Sequence, residues 1–226
     1  MVAKSYLLCK TNKFNREGYF IPIQQDLFEH EGTSVAKLEI NKPDFHLGFD
    51  QYECYYDYKH KTKGIVFNKP FNYYFEPLNF YAYYRDDLKL SLFQTKTDAA
   101  IEFTNKLNST KHFDINPFNI QFNKIIPLIV DVAGAWIADL KRAHLRTAGF
   151  FGPNVHKSEE YKQAAEEGNV SSIQMKYISE KNNSEYYVAI SRKGSIILYD
   201  TLPTIEDEID LVYEVYSKLI CPHLNC

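Results

Sequence analysis

Aromatic residues at every second position constrain this chain more than any other feature of its sequence. Between Phe49 and Tyr58, the residues Phe49, Tyr52, Cys54, Tyr56 and Tyr58 recur with a period near two. Successive side chains of a strand point to opposite faces, so such a segment can bury one face and leave the other in water. Aromatic rings favour strands and bury large areas. The 226 residues include 18 Tyr and 16 Phe, against one Trp and two Met. A β-rich structure with an aromatic core is therefore expected.

Further strands are expected at Ser5 to Cys9, Gly18 to Gln24, Val35 to Ile40, Gly64 to Phe67 and Phe80 to Tyr84, with turn residues between them. Leu88, Leu90 and Leu92 alternate with Lys89, Ser91 and Phe93, the pattern of a half-buried strand, and Asp86-Asp87 suits the turn before it. Thr97 is the expected cap of a helix to Asn108 that presents Ala100, Ile101, Phe103, Thr104 and Leu107 on one face. His112 to Phe122 reads as extended, with Pro117 at an edge or bulge.

The strongest helix is expected over Ile125 to Leu140, where Ile125, Leu128, Ile129, Val132, Trp136 and Leu140 fall at helical spacing. That phase places Trp136 in the core and Asp131 and Asp139 on the polar flank. Leu145 to Phe151 follows as a strand. A shorter helix starts at Ser158 and stops before Gly168, a residue suited to the position after a helix end. Ser171 to Ile178, Glu185 to Ser191 and Ser195 to Asp200 form an antiparallel unit. Thr204 with Asp207 makes a capping box for a last helix, Ile205 to Ile220. The class is α+β: a Tyr-rich, mostly antiparallel β amino-terminal part and an αβαβββα carboxy-terminal part, packed as one unit. No flexible linker divides it, so residues 1–226 read as a single α+β domain with two lobes, 1–110 and 111–226.

The net charge is −3, which supplies no global field towards nucleic acid or an anionic membrane. The opening MVAKSYLLCK lacks the apolar run of a signal peptide. The apolar stretch Ile125 to Leu140 is interrupted by Asp131 and Asp139 and falls short of the roughly 20 residues of a membrane span. A soluble, cytoplasmic protein is the expectation. Cys9, Cys54, Cys221 and Cys226 show no framework spacing and read as free thiols.

No phosphate-binding glycine loop, nucleophile elbow or H-E-x-x-H helix occurs, and no cofactor is called for. Cys221, His223 and Cys226 offer three potential zinc ligands without the usual paired clusters, so no metal is assigned. His112 and Asp114 share a face if both lie on one strand, and with Asp131 they are the candidate ligands or acid–base groups of a dispersed site. Lys141, Arg142, His144 and Arg146 make a basic run at the expected helix end, followed by Phe150-Phe151. Lys157, Arg192 and Lys193 are candidates to join it. Cations beside stacking rings suit phosphate backbones and unpaired bases, whereas helix ends attract cations for their own reasons and the two Phe would then face the core. The tyrosines at 52, 55, 56, 58, 73, 74, 81, 83 and 84 read mainly as cross-strand packing, with a recognition surface as the alternative.

These features favour a non-enzymatic macromolecule-binding or regulatory protein, of the kind that serves as a bacterial or mobile-element accessory factor. Its partner would be a protein or a nucleic acid, and self-association is open to it. A metal-dependent hydrolase or nuclease built on His112, Asp114 and Asp131 is the first alternative. An obligate subunit of a larger complex, with the Tyr-rich face as its interface, is the second. Thiol titration of the denatured, unreduced protein is expected to find all four cysteines. A disulfide between Cys9 and Cys54, or between Cys221 and Cys226, would contradict the cytoplasmic expectation.

Overall fold

The computed structural model describes residues 3–22, 34–66, 68–141 and 144–223. Gln24, Phe67, Arg142 and Cys226, which carry sequence expectations, lie outside the described residues. The backbone divides into two compact units, Cys9–Asn116 and Met1–Leu8 with Pro117–Cys226. The division falls inside the first strand, β1 (Lys4–Lys13). Among the described residues no helix is long and apolar enough to cross a membrane.

In the unit Cys9–Asn116 the strands are antiparallel. β2 (Tyr19–Ile21), β3 (Ala36–His46), β4 (Phe49–His60), β7 (Tyr74–Arg85) and β8 (Leu90–Gln94) follow one another as hydrogen-bonded neighbours, and β8 lies beside β1. A short separate hairpin, β5 (Gly64–Val66) with β6 (Lys69–Phe71), sits between β4 and β7 in the chain. β9 (Asp114–Pro117) also pairs with β1. The helix α1 (Thr97–Asn108) starts at Thr97 itself, with Lys96 in the cap position and no side-chain cap. It inserts Phe103, which is fully buried. The rings of Phe80, Tyr56 and Phe93 lie 5.1, 5.7 and 6.1 Å from that of Phe103 at steep angles. Such edge-to-face packing is favourable for aromatic quadrupoles.

Tyr52, Tyr56, Tyr83 and Tyr84 are buried as well, so the tyrosine surplus at those positions is spent on the core. β8 departs from its expected pattern. Lys89 takes a left-handed conformation, with φ of 50°, which ends the turn and leaves Leu88 exposed. Leu90 to Phe93 are then buried at four successive positions, so the strand is covered on both faces and not half-solvated. Ser91 tolerates this because its hydroxyl pairs with that of Thr11 at 2.7 Å.

The other unit combines the first half of β1 with β10 (Val132–Ala138), β11 (Ala148–Phe151), β12 (Asn169–Ile178), β13 (Glu185–Ser191) and β14 (Ser195–Leu198), in the order β11-β10-β12-β13-β14-β1. The helices are the one-turn α2 (Phe122–Ile125), α3 (Glu159–Glu167) and α4 (Ile205–Val215), the last continued by a π-helical turn, Tyr216–Ile220. The α+β class holds. The long helix expected over Ile125 to Leu140 does not form: beyond α2 and a 3-10 turn the chain becomes β10. Nearly every position from Ile125 to Ile137 is apolar, so helical and strand periods fit equally well. Pro127 and Gly134 count against a helix, while Ile129, Val130, Val132 and Ile137 are β-branched. Pairing on both edges, with β11 and β12, settles the contest. Asp131 and Asp139 therefore flank a strand and have no place on a helical wheel.

The expected caps of α3 and α4 are present, unlike that of α1. The Ser158 hydroxyl accepts from the Tyr161 amide, and the Thr204 hydroxyl accepts from the Asp207 amide. Gly168 follows α3 as expected, but for a different reason. Its φ is −137°, which suits any residue. A side chain there would meet the Ala138 carbonyl oxygen at 2.6 Å. The helices cover one face of this sheet. Phe150, Ala135, Ile173, Ile190, Ile196 and Tyr6 are partners in register across it. Phe150 meets Tyr161 of α3 at 6.3 Å, and the Tyr6 hydroxyl donates to Glu208 of α4.

Replacing Phe103 with Ala should destabilise the unit Cys9–Asn116 by roughly 3–5 kcal/mol, as other large-to-small core changes do. Denaturant melts of the variant and the parent would measure it. A cost below about 1 kcal/mol would show that the ring cluster collapses around the gap.

Candidate aromatic platform

The sheet face opposite α3 and α4 carries a second row of register partners: Phe151, Gly134, Gln174, Ala189, Ile197 and Ser5. Trp136 stands beside this row, paired with Gly149 on β11 and Ser172 on β12. The Phe151 ring lies down across the two glycines. A Cβ on Gly149 would be 3.0 Å from that ring, and one on Gly134 would be 3.2 Å from it. Any larger residue at either place would lift the ring. Trp136 closes one side, edge to face, with ring centroids 5.0 Å apart at 84°. Phe151 nevertheless remains 65% exposed. It is a flat ring held on a backbone floor with its outer face in solvent, next to a half-buried indole.

The loop between β10 and β11 begins three residues after Trp136. Asp139 has φ of 55°, and its carboxylate accepts from the Asn169 amide at 3.3 Å. The Leu140 amide donates to the Arg146 carbonyl at 3.1 Å, and Leu140 is buried. A closed loop results, and Lys141, His144 and Arg146 stand exposed on it. The basic run therefore occupies a loop between two strands of a sheet. Phe150 faces inward, as expected of both rings, and Phe151 faces outward.

The remaining expected cations are dispersed. Lys157 is exposed in the 3-10 turn Val155–Lys157. Arg192 is engaged structurally: Nε donates to the Val170 carbonyl at 2.8 Å and Nη1 to the Asn169 side-chain oxygen at 3.0 Å. Lys193 is exposed at the turn between β13 and β14.

The candidate acid–base residues do not assemble. His112 precedes β9 and is not on a strand, and its ring lies against Tyr19 at 4.9 Å. The amides of Asn12 and Asn116 donate to Asp114 at 2.8 and 2.6 Å, which holds its carboxyl below the usual range. Asp131 belongs to the other unit, where it accepts from the Asn154 amide at 2.7 Å. That bond supports the left-handed Asn154, with φ of 53°. Among the described residues no three His, Cys, Asp or Glu side chains gather to hold a metal. Cys221 and His223 occupy the last described turn.

Sequence reasoning missed two features. The first is the outward ring of Phe151, which depends on the register that sets it opposite Gly134. The second is legible in the sequence. Lys59, Lys61, Lys63 and Lys69 lie in a stretch with no Asp or Glu between Asp57 and Glu76, at the end of the β4–β7 hairpin.

Trp136 is the single tryptophan, so its emission reports on the platform alone. Phe151→Ala should shift that emission to the red as the indole gains water, at a stability cost of about 1 kcal/mol for the lost ring pair. Unchanged emission in a folded variant would show that the two rings are not in contact. No protein-family model matches the sequence, and no curated protein matches it.

Proposed function

We propose that this chain is a non-enzymatic binding protein that takes single-stranded nucleic acid on the Trp136–Phe151 platform. The observation that carries the reading is the Phe151 ring, laid flat on Gly134 and Gly149 with its outer face open. Bases stack on such rings without regard to sequence, because every base has a π face. Lys141 and Arg146 stand on the adjoining loop, and neither is in an ion pair among the described residues. Cations on that loop would suit the phosphates that flank a stacked base. Ser172, Gln174 and Ser191 supply hydrogen-bonding groups on the same face.

A protein partner is the second reading, and one feature favours it. β11 ends the strand order of its unit, so its outer edge offers backbone groups to an added strand.

Titration with a mixed-sequence oligonucleotide of roughly a dozen nucleotides, within the site sizes of stacking grooves, should quench the Trp136 emission. Phe151→Ala should weaken binding by about 1–3 kcal/mol, the range for one base–aromatic stack. Replacing Lys141 and Arg146 together with Ala should lower the slope of log affinity against log salt by up to about 1.4, since each single-strand phosphate contact contributes about 0.7. Absence of quenching at low salt would refute the nucleic-acid reading and leave the β11 edge as the place to seek a protein partner.

A further inference from the structure

β4 and β7 pair without interruption from Asp50 opposite Tyr84 to His60 opposite Tyr74. Beyond that point the chain narrows to the β5–β6 ribbon, in which Gly64, Ile65 and Val66 face Phe71, Pro70 and Lys69. Asn68 turns the chain with φ of 60°. The Phe71 ring lies over Gly64, where a side chain would collide with it. The acids of this region sit at the base of the projection. Glu76 holds His60 at 2.6 Å and Lys96 at 3.7 Å, and Asp57 accepts from the Tyr55 hydroxyl at 2.6 Å. Further out only positive charge remains. Lys61, Lys63 and Lys69 are exposed, and none is in an ion pair among the described residues.

We propose that this ribbon is an arm that binds duplex nucleic acid. Lys61 and Lys63 stand between β4 and β5, and Lys69 stands on β6. Cations gathered on a narrow projection complement the phosphates of a duplex. A two-stranded ribbon also fits the major groove, about 12 Å wide. Ile65, 73% exposed, stands opposite Pro70 on the ribbon, and apolar side chains of this kind press against base steps. An anionic membrane would meet the same lysines. A narrow two-stranded ribbon, however, suits a groove better than a flat surface. The proposal does not depend on the Trp136–Phe151 platform, which belongs to the other unit.

The test is fluorescence anisotropy of a labelled duplex of about 20 base pairs against the full chain, over a range of salt. Lys61→Ala, Lys63→Ala and Lys69→Ala together should flatten the log–log salt slope by up to about 2.7, since each duplex phosphate contact contributes about 0.9. The matching triple Arg variant should restore it. The triple Ala variant should keep the single-strand quenching of Trp136 emission, which separates failure of this arm from failure of the platform. Unaltered Trp136 emission and melting would show that the triple variants fold. Three outcomes would overturn the proposal: no duplex binding by the parent at low salt, an unchanged slope in the folded triple Ala variant, or lysine-dependent sedimentation with phosphatidylserine–phosphatidylcholine vesicles while duplex binding stays intact.

Discussion

A buried carboxylate governs the unit that carries the platform. Glu208, in the first turn of α4, is 1% exposed, and it accepts from both the Lys4 ammonium and the Tyr6 hydroxyl of β1. A charge removed from water is tolerable only with such partners, and stripping one of them from a buried pair costs several kcal/mol. The helix is therefore tied to a particular strand on a particular face. A second carboxylate repeats the arrangement further along α4. Glu214 accepts from the Tyr177 hydroxyl, the Ser179 hydroxyl and the Glu180 amide, which fastens the helix to the end of β12. With α4 held at two points, and α3 against Phe150, one face of the sheet is taken.

What happens on the opposite face follows from parity. Phe150 and Phe151 are neighbours in sequence, so a strand must send them to opposite sides. One ring joins Tyr161 under α3. The other has no helix of its unit to enter and would stand upright in solvent on an ordinary sheet. Gly134 and Gly149 let it lie flat instead, which covers backbone that glycine would otherwise leave bare. The same geometry serves stability and presents a stacking surface.

Much of the fold was legible from local chemistry. Ser158 and Thr204 announce helices because a hydroxyl at the cap satisfies an amide that the helix cannot, and the β12–β13 hairpin follows from alternation bounded by Asn182-Asn183. The failures have a common cause. Where nearly every residue is apolar, as from Ile125 to Ile137, periodicity carries little information, and the decision passes to partners distant in sequence. Alternation along the expected strand Leu145 to Phe151 already required one of the two rings to face outward, but which one does so depends on what lies opposite, and hence on β10 being a strand. The dispersed His112, Asp114 and Asp131 looked equivalent in sequence. Their hydrogen-bond partners, Asn12 and Asn116 for Asp114 and the Asn154 backbone for Asp131, show two carboxylates serving local structure. The acid-free lysine run needed no structure to be noticed, only attention to where negative charge is missing.

The division inside β1 bears on how the chain is made. Residues 9–116 contain every strand of their own unit beyond β1 itself, and they emerge early. Lys4 to Leu7 must wait for Ser195 to Leu198, their partners in β14. At about 5–20 residues per second, that wait during synthesis is on the order of ten to forty seconds. Throughout it, the apolar segment Tyr6-Leu7-Leu8 has an unsatisfied edge towards β14. Such an edge pairs readily with any extended chain it meets. The nascent chain is thus most vulnerable at Tyr6 to Leu8, and holding that short segment apart until β14 has been made is the service it would need from a chaperone.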